Sequence, residues 1–320
     1  MKKDCEILNK TSSKDFHLKN DEQIFCSHDI LKSISYFDIF SHPINKEEIQ
    51  NLLKKKVDEE TFLFVLNKLV ESKQCFTTDG YYSIDKNVTL LVKQRKVKEI
   101  EAEKYFKKIP FYVGLIKSFP FVRGLAISGS LSKNVMYDDG DIDYFVITKS
   151  ERLWICRTLL ILFKKVFLLN SKKYFCVNYF VDENNLEIRD KNIFTAIELT
   201  YLMPIYNQSL IDKLKEVNSW KQSYLPHFKH PVKLKVQEGN GMFKRALEYL
   251  LNGSFGNKVD LFFMKITFKR WNKKFKHFDA QKFELTMRSN RGISKHHPQD
   301  FQNKVLKEYN NRLEKLGITV

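Results

Sequence analysis

The stretch that most constrains the fold of this chain is residues 121–148, FVRGLAISGSLSKNVMYDDGDIDYFVIT. An apolar run ends in Gly129-Ser130, and ten residues later Asp141-Ile142-Asp143 opens a second apolar run. Residues at i and i+2 on a strand point to the same face of a sheet. The pattern therefore predicts two strands, with two carboxylates converging on one side while Ile142 points into the core.

The paired carboxylates of Asp141 and Asp143 predict a cation site. Two like charges held close together repel each other unless a cation or a proton lies between them. Mg²⁺ takes oxygen ligands and substrate phosphates, so it fits this pair, and Mn²⁺ is an alternative. The Gly129-Ser130 turn can offer N–H groups and a hydroxyl to phosphate oxygens. The competing interpretation is an ordinary turn followed by solvated acids at 138–139.

This arrangement resembles the signature of the nucleotidyltransferase superfamily, which has the DNA polymerase β-like fold. The resemblance implies that a nucleoside monophosphate moves from an NTP to a hydroxyl acceptor, with Asp141 and Asp143 as catalytic residues and metal ligands. It also implies nucleotide-binding residues in the turn and at the start of the helix after the second strand, namely Gly129, Ser130, Ser132, Lys133 and Arg152.

In this superfamily a third central strand usually brings a third carboxylate, which helps bind the metal and takes the proton of the attacking hydroxyl. Residues 174–181 predict that strand, but Asn178 stands where the carboxylate is expected, and an amide cannot act as a general base. The alternatives are Asp182 at the strand end and Glu187 on a short strand predicted over 186–188. Glu187 is preferred as the catalytic residue because a strand holds a side chain better than a turn does.

Helical and strand periodicities predict an α+β chain with a small mixed β-sheet core flanked by helices. Three amphipathic helices and an Asp79-Gly80 hairpin signal predict a winged-helix-like N-terminal domain. The expected regions are a frayed N-terminus at 1–25, the winged-helix-like domain at 26–87, linking helices at 88–119, the nucleotidyltransferase core at 120–206 and a helical basic C-terminal region at 207–320.

The resemblance extends along the whole chain, to bacterial predicted nucleotidyltransferases with an N-terminal winged-helix-like region. It is carried by the motifs at 36–43, 120–123, 178–180, 194–198 and 297–301. An alternative function is a non-catalytic nucleotide-binding module that regulates DNA or a protein partner through the winged-helix part. DNA binding is not favoured, because the predicted third helix, 58–72, carries four acids beside one lysine and a recognition helix needs more positive charge.

The net charge of +17, from 55 Lys+Arg against 38 Asp+Glu, attracts phosphate-bearing partners. A coding bias towards Lys explains the excess equally well, so the acceptor is left open among a small molecule, a protein or RNA. Residues 256–275 interleave aromatic and basic side chains, as in helices that contact RNA or lie on an anionic membrane. A packed helix with a solvated basic face is the preferred interpretation.

Five cysteines without CxxC spacing indicate a reducing compartment, and the polar N-terminus lacks the apolar core of a signal peptide. No apolar run approaches the length of a transmembrane helix, so we expect a cytoplasmic protein. Two polar features outside the main motif are less informative. Glu198, the one acid in the middle of an apolar helical segment, is expected to pair with a base, and His296-His297 is expected in a surface loop.

Overall fold

The computed structural model describes residues 21–230, 234–239 and 241–319, with the backbone alone at 242 and 243. The chain divides into two compact units. The first comprises the described residues of 1–96 together with 222–229 and 305–319, and the second comprises those of 97–221 and 230–304. Both units combine helices with a small sheet, so the predicted α+β class is confirmed. The region predicted over 207–320 is thus shared between the units.

The described N-terminal part of the first unit contains three helices, the start of a fourth and a three-stranded antiparallel sheet of order β1-β3-β2. Along the chain the elements are α1 (21–38), β1 (Ile44–Asn45), α2 (Lys46–Leu52), α3 (Glu59–Glu71), β2 (Phe76–Thr78), β3 (Tyr81–Ser83) and the start of α4 (Val88–Phe106). The frayed segment predicted over 1–25 lies outside the described residues up to residue 20, and residues 21–25 already belong to α1.

Local sequence signals account for two junctions in this unit. Asn45 and Glu48 form the predicted reciprocal capping box at the start of α2, and Arg95 donates to the Glu48 carboxylate at 2.7 Å. Asp79 and Gly80 have φ values of 51° and 76°, which are the left-handed conformations that a tight two-residue hairpin requires. The predicted hairpin between β2 and β3 is confirmed.

The second unit contains a five-stranded sheet of order β7-β4-β5-β6-β8, in which β5 and β6 are parallel and the other neighbours antiparallel. After α4 come α5 (Ile109–Lys117), β4 (Val122–Ser128), β5 (Asp143–Thr148), α6 (Leu153–Phe167), β6 (Cys176–Asp182), α7 (Ile193–Thr200), β7 (Met203–Tyr206), α8 (Gln208–Val217), α9 (Met242–Leu251), α10 (Ser254–Lys274), α11 (Ala280–Met287) and β8 (Ile293–Lys295). The last helix, α12 (Phe301–Lys315), belongs to the first unit from residue 305 onwards.

Both faces of this sheet are covered by helices. On one face Val146, Val177 and Phe180 pack against buried side chains of α6 and α10, including Trp154 and Trp271. On the other face Phe145, Ile147 and Val181 pack against α7 and α8 through Leu199, Ile211 and Leu214. The alternation of these residues along β5 and β6 is the period of two expected for a sheet buried on both sides.

Three predicted elements differ from the structure. The strand predicted over 186–188 is wrong, since these residues are irregular, and the helix predicted over 190–206 ends at Thr200 and is followed by β7. The histidine pair does lie in irregular backbone, directly after β8, but both histidines are half-buried and not on the surface as predicted.

The cysteines that the structure describes, Cys26, Cys75, Cys156 and Cys176, are buried and free. None of the described helices combines the length and the apolar character that a membrane span requires.

Candidate functional site

The strand register brings the sequence motif together at one end of the sheet. Ser128 at the end of β4 pairs with Asp143 at the start of β5, and Asp143 pairs in turn with Cys176 at the start of β6. Gly129 therefore follows β4 directly beside the first residue of β5. The turn and the acidic pair, which are separate in sequence, form one site.

Asp141, Asp143 and Cys176 each place a potential ligand atom within 4.8 Å of the other two. β5 begins at Asp143, so Asp141 lies just before the strand and not on it as predicted. The two carboxylates nevertheless converge, and Ile142 between them is fully buried as the alternation predicted.

Gly129 is required by both conformation and space. Its φ is +69°, a value that favours glycine, and a Cβ atom built on it would lie 2.6 Å from Oδ2 of Asp143. Any side chain at this position would push against the carboxylate. The close approach leaves the backbone of the turn in contact with the acidic pair.

The residues after Gly129 hold the turn in place. The Ser132 hydroxyl donates to the Gly129 carbonyl at 2.7 Å, and the Lys133 ammonium donates to the same oxygen at 3.1 Å. Lys133 also forms an ion pair at 2.8 Å with Glu198 of α7, which confirms the predicted pairing of that acid with a base. Ser130, half-buried, precedes the single 3₁₀ turn Leu131–Lys133. Four of the five predicted nucleotide-binding residues thus lie in this turn.

Strand β6 brings a thiol and an amide to the position where a third carboxylate was expected. The register shifts between Tyr144 and Phe145, so Asn178 is the extra residue of a β-bulge. Its Nδ2 donates to Cys176 Sγ at 2.7 Å. Burial, with the nearby Asp143 charge second, raises the pKa of the Cys176 thiol, so this group stays neutral.

Three predicted residues lie elsewhere. Asp182 stands six residues along β6 from Cys176, about 20 Å away at the usual rise, and accepts from Asn184 N and Asn185 Nδ2. Glu187 is 60% exposed and pairs with Lys191 at 2.9 Å. The Arg152 guanidinium donates to backbone carbonyls, chiefly of the turn between α9 and α10, and to Asn257. The structure brings none of these three to the acidic pair.

The electrostatics of the pair suit a divalent cation. Burial, and then the charge of Asp141, raise the pKa of Asp143 to about 7; Glu198 adds to this, while a hydrogen bond with Cys176 and the charge of Lys133 oppose it. The two carboxylates repel each other, and together they offer the hard oxygen ligands that Mg²⁺ and Mn²⁺ prefer. The neutral sulfur of Cys176 is a poor ligand for Mg²⁺.

Glu198 was predicted only to pair with a base and was not among the predicted site residues. Its charge acts on Asp143 and on His297, and α7 carries it to the same end of the sheet. The only sequence signal was its isolation among apolar residues.

Comparison of the chain with protein-family models, with curated proteins and with solved structures found no match. The geometry of the acidic pair and its turn therefore has to support the functional argument alone.

Proposed function

We propose that the second unit is a metal-dependent nucleotidyltransferase that moves a nucleoside monophosphate from an NTP to a hydroxyl acceptor. The observation that carries the proposal is the contact between Gly129 and Asp143. A glycine turn whose backbone touches a converging carboxylate pair can bind phosphate and metal at once. In a solvated acidic turn nothing would require Gly129 to approach Asp143 this closely.

Asp141 and Asp143 would hold Mg²⁺ or Mn²⁺, which supplies positive charge to the triphosphate when bound. The N–H groups and hydroxyl of the Gly129-Ser130 turn bind the β- and γ-phosphates, while Ser132 and Lys133 keep the turn in shape. The acceptor oxygen then bonds to the α-phosphorus, the bond to the β-phosphate oxygen breaks, and pyrophosphate leaves. Positioning of the reactants provides much of the rate.

The proton of the acceptor hydroxyl needs a base. Glu187 is exposed and paired with Lys191, so its geometry does not support the predicted role. We propose that Glu198 is the base that takes this proton, because it is the carboxylate besides Asp141 whose charge acts on Asp143. Its ion pair with Lys133 keeps it oriented towards the turn.

The test is incorporation of labelled NTP in the presence of Mg²⁺ by the full chain and three variants. Asp141→Asn and Asp143→Asn each remove one anionic ligand, and we expect activity to fall at least about a hundredfold, the scale of losing several kcal/mol of charge stabilisation. Asp139→Asn is the matched control, because Asp139 is an exposed acid of the same loop. Wild-type activity in both site variants would show that the site is wrongly assigned.

A second candidate function is nucleotide binding without turnover, coupled to regulation. It is favoured by one observation, that β6 brings Cys176 and Asn178 and no carboxylate to the site. The three helices and small antiparallel sheet of the first unit agree with a winged-helix-like module, which would pass the nucleotide state to DNA or a protein.

This alternative predicts Mg²⁺-dependent nucleotide binding with no product, and a DNA mobility shift that weakens with salt. Glu198→Gln separates the two functions, since it should slow transfer but leave nucleotide affinity within about twofold. If no nucleotide raises the melting temperature, both functions are excluded.

A further inference from the structure

One face of helix α6 carries two basic side chains, and the charge of one of them, Lys164, interacts with Asp141 of the acidic pair. Arg157 and Lys164 belong to α6 and are seven residues apart, so they share one face of the helix about 10 Å apart along its axis. Among the described residues, neither side chain takes part in a hydrogen bond or an ion pair with another side chain or the backbone. The other buried bases that the structure describes, Arg95, Arg152, Lys244 and Lys295, have such partners.

Lys164 is the most informative of these residues. The residue is only 6% exposed, yet its side-chain nitrogen still reaches the surface. Its charge interacts with Cys176 and Asp141 of the site and with Arg157.

Arg157 is held by aromatic rings. Its guanidinium carbon lies 4.8 Å from the ring centre of Trp271 and 5.7 Å from that of Trp154. The rings orient the guanidinium but accept none of its five N–H groups. The His296 ring packs against Trp271, and the two ring centroids lie 5.2 Å apart. Burial lowers the pKa of His296 to about 4, so at neutral pH the ring is an uncharged N–H donor.

The sheet order places His296 on the far side of Asp143 from the Gly129 turn, and its ring packs against Trp271 on the sheet face that α6 and α10 cover. β8 pairs with β6 on the edge away from β5, and His296 N donates to Asn178 O at 3.2 Å. Across the end of the sheet the order is therefore the Gly129 turn, Asp143, Cys176 with Asn178, and His296. Lys172 and Lys274 add positive charge around His296.

We propose that Arg157, Lys164 and His296 form a second anion site, which binds a phosphate group of the acceptor. The acceptor is then a phosphate-bearing molecule with a free hydroxyl, and its phosphate lies on the β6–β8 side while the nucleotide lies on the β4 side. That the phosphate belongs to an acceptor rests on the proposed transferase function, whereas the anion site itself rests on the side chains just described. Asp143 shares the sheet face of Phe145 and Ile147, so the hydroxyl reaches the acidic pair around the end of the sheet.

The first experiment measures binding of inorganic phosphate to the full chain by calorimetry, in EDTA. We expect Lys164→Gln to weaken binding at least about tenfold, as loss of a charge-assisted hydrogen bond does. Lys165→Gln is the matched control, because the neighbouring lysine is exposed, and it should leave the affinity unchanged. Arg157→Gln should weaken binding similarly, and it serves if the Lys164 variant fails to fold. Equal affinity in both site variants and the control would overturn the proposal.

The second experiment repeats the phosphate titration with saturating Mg²⁺ and a non-hydrolysable NTP. Simultaneous binding, with the phosphate affinity within about twofold, is the expected result. Competition would show that these cations bind the phosphates of the nucleotide itself, which also overturns the proposal. If the nucleotide does not bind but phosphate binding still depends on Lys164, the transferase proposal fails and the anion site stands.

Discussion

Gly129 shows how one residue without a side chain can define a site. Alanine at this position would meet the cost of a left-handed backbone, about 1–2 kcal/mol, and would also clash with Asp143. Gly80 is the matched control, because its φ of +76° is similar but a Cβ there would have nothing within 4 Å. We expect Gly80→Ala to lower stability alone.

Gly129→Ala is expected to lower stability by more than Gly80→Ala and, in addition, to weaken Mg²⁺ affinity by about tenfold or more, because Asp143 must move. Urea unfolding measures the first effect and calorimetry with Mg²⁺ the second. Equal losses of stability in the two variants, with unchanged Mg²⁺ affinity, would mean that the contact with Asp143 has no role.

Asp143 makes the stability of the metal-free protein depend on pH. Its pKa is about 7 in the folded protein against an ordinary 3.8, so the folded state binds more protons between these values. The contribution of this group to the unfolding free energy therefore falls as pH rises from about 4 to about 7. A bound divalent cation needs the ionised carboxylate and should reverse the loss at high pH.

The measurement compares wild type with Asp143→Asn in EDTA at pH 4 and pH 8. We expect similar stability at pH 4, where Asp143 is protonated in the folded state and close to its ordinary pKa in the unfolded state, and a gain of roughly 1–3 kcal/mol for the variant at pH 8. Mg²⁺ at pH 8 should stabilise wild type only. A gain of the same size at both pH values would point to packing and not to charge.

At the scale of elements, Asp260 joins α6 to α10. It is fully buried, and its Oδ1 accepts from the backbone N–H of Ile155 in the first turn of α6 at 2.9 Å. Burial raises the pKa of Asp260 to about 6, although hydrogen bonds from Ile155 and Trp154 oppose the shift. The second oxygen accepts no hydrogen bond from the part of the chain that the structure describes, so the carboxyl is costly when ionised.

Asp260→Asn should keep the acceptor and remove the pH dependence that this residue contributes between about pH 4 and 6, where stability falls as pH rises. Asp260→Ala leaves the Ile155 N–H without a partner and should cost about 1–3 kcal/mol. Urea unfolding of both variants at pH 4 and pH 7 checks this. If the alanine variant is no less stable than the asparagine variant, the link between the helices is not important.

The elements that were predicted well are long enough to show a helical or strand periodicity in their own sequence. The helix α3 was predicted over 58–72 and spans Glu59–Glu71, and β5 and β6 are long enough to show alternation. The strands β7 and β8 were missed because they have four and three residues, and β7 contains Pro204. As edge strands they are defined by pairing with β4 and β6, which a local pattern does not contain.

The same difference holds within the site. Gly129, Asp141 and Asp143 were predictable because the spacing of one motif places them together. Cys176 was missed since its role depends on the register of β6 against β5, and the bulge at Asn178 moves that register by one residue. Glu187 and Arg152 were assigned by the order of segments, but in the structure Glu187 pairs with Lys191 and Arg152 donates to the Leu251 carbonyl.

At the scale of the whole molecule, the positive charge is not spread evenly. The helix α10 carries six bases and one acid, Asp260, which is buried. Its inner face packs through Trp271, so the predicted packing of this helix is confirmed. Its outer face also exposes three large apolar side chains, Phe255 at 64%, Phe262 at 58% and Ile266 at 49%.

The residues of this outer face recur at helical spacing, and its lysines at 258, 265, 269 and 273 are interspersed with the three apolar residues. Apolar side chains that enter a lipid interface, surrounded by lysines that meet anionic headgroups, are typical of helices lying on a membrane surface. We expect the full chain to co-sediment with vesicles that contain phosphatidylglycerol and not with neutral vesicles, and to dissociate as salt is raised.

Each lysine near an anionic surface contributes about 1 kcal/mol, so replacing Lys258, Lys265 and Lys269 with Gln should weaken vesicle binding on the order of a hundredfold. Replacing Lys304, Lys307 and Lys315 of α12, which are exposed, makes the same change in net charge and should alter binding only slightly. Equal losses in both triple variants would assign the effect to net charge. Retention of RNA by α10 with no vesicle binding would instead make this face a nucleic-acid surface, because stacking aromatic rings and lysines also suit single strands.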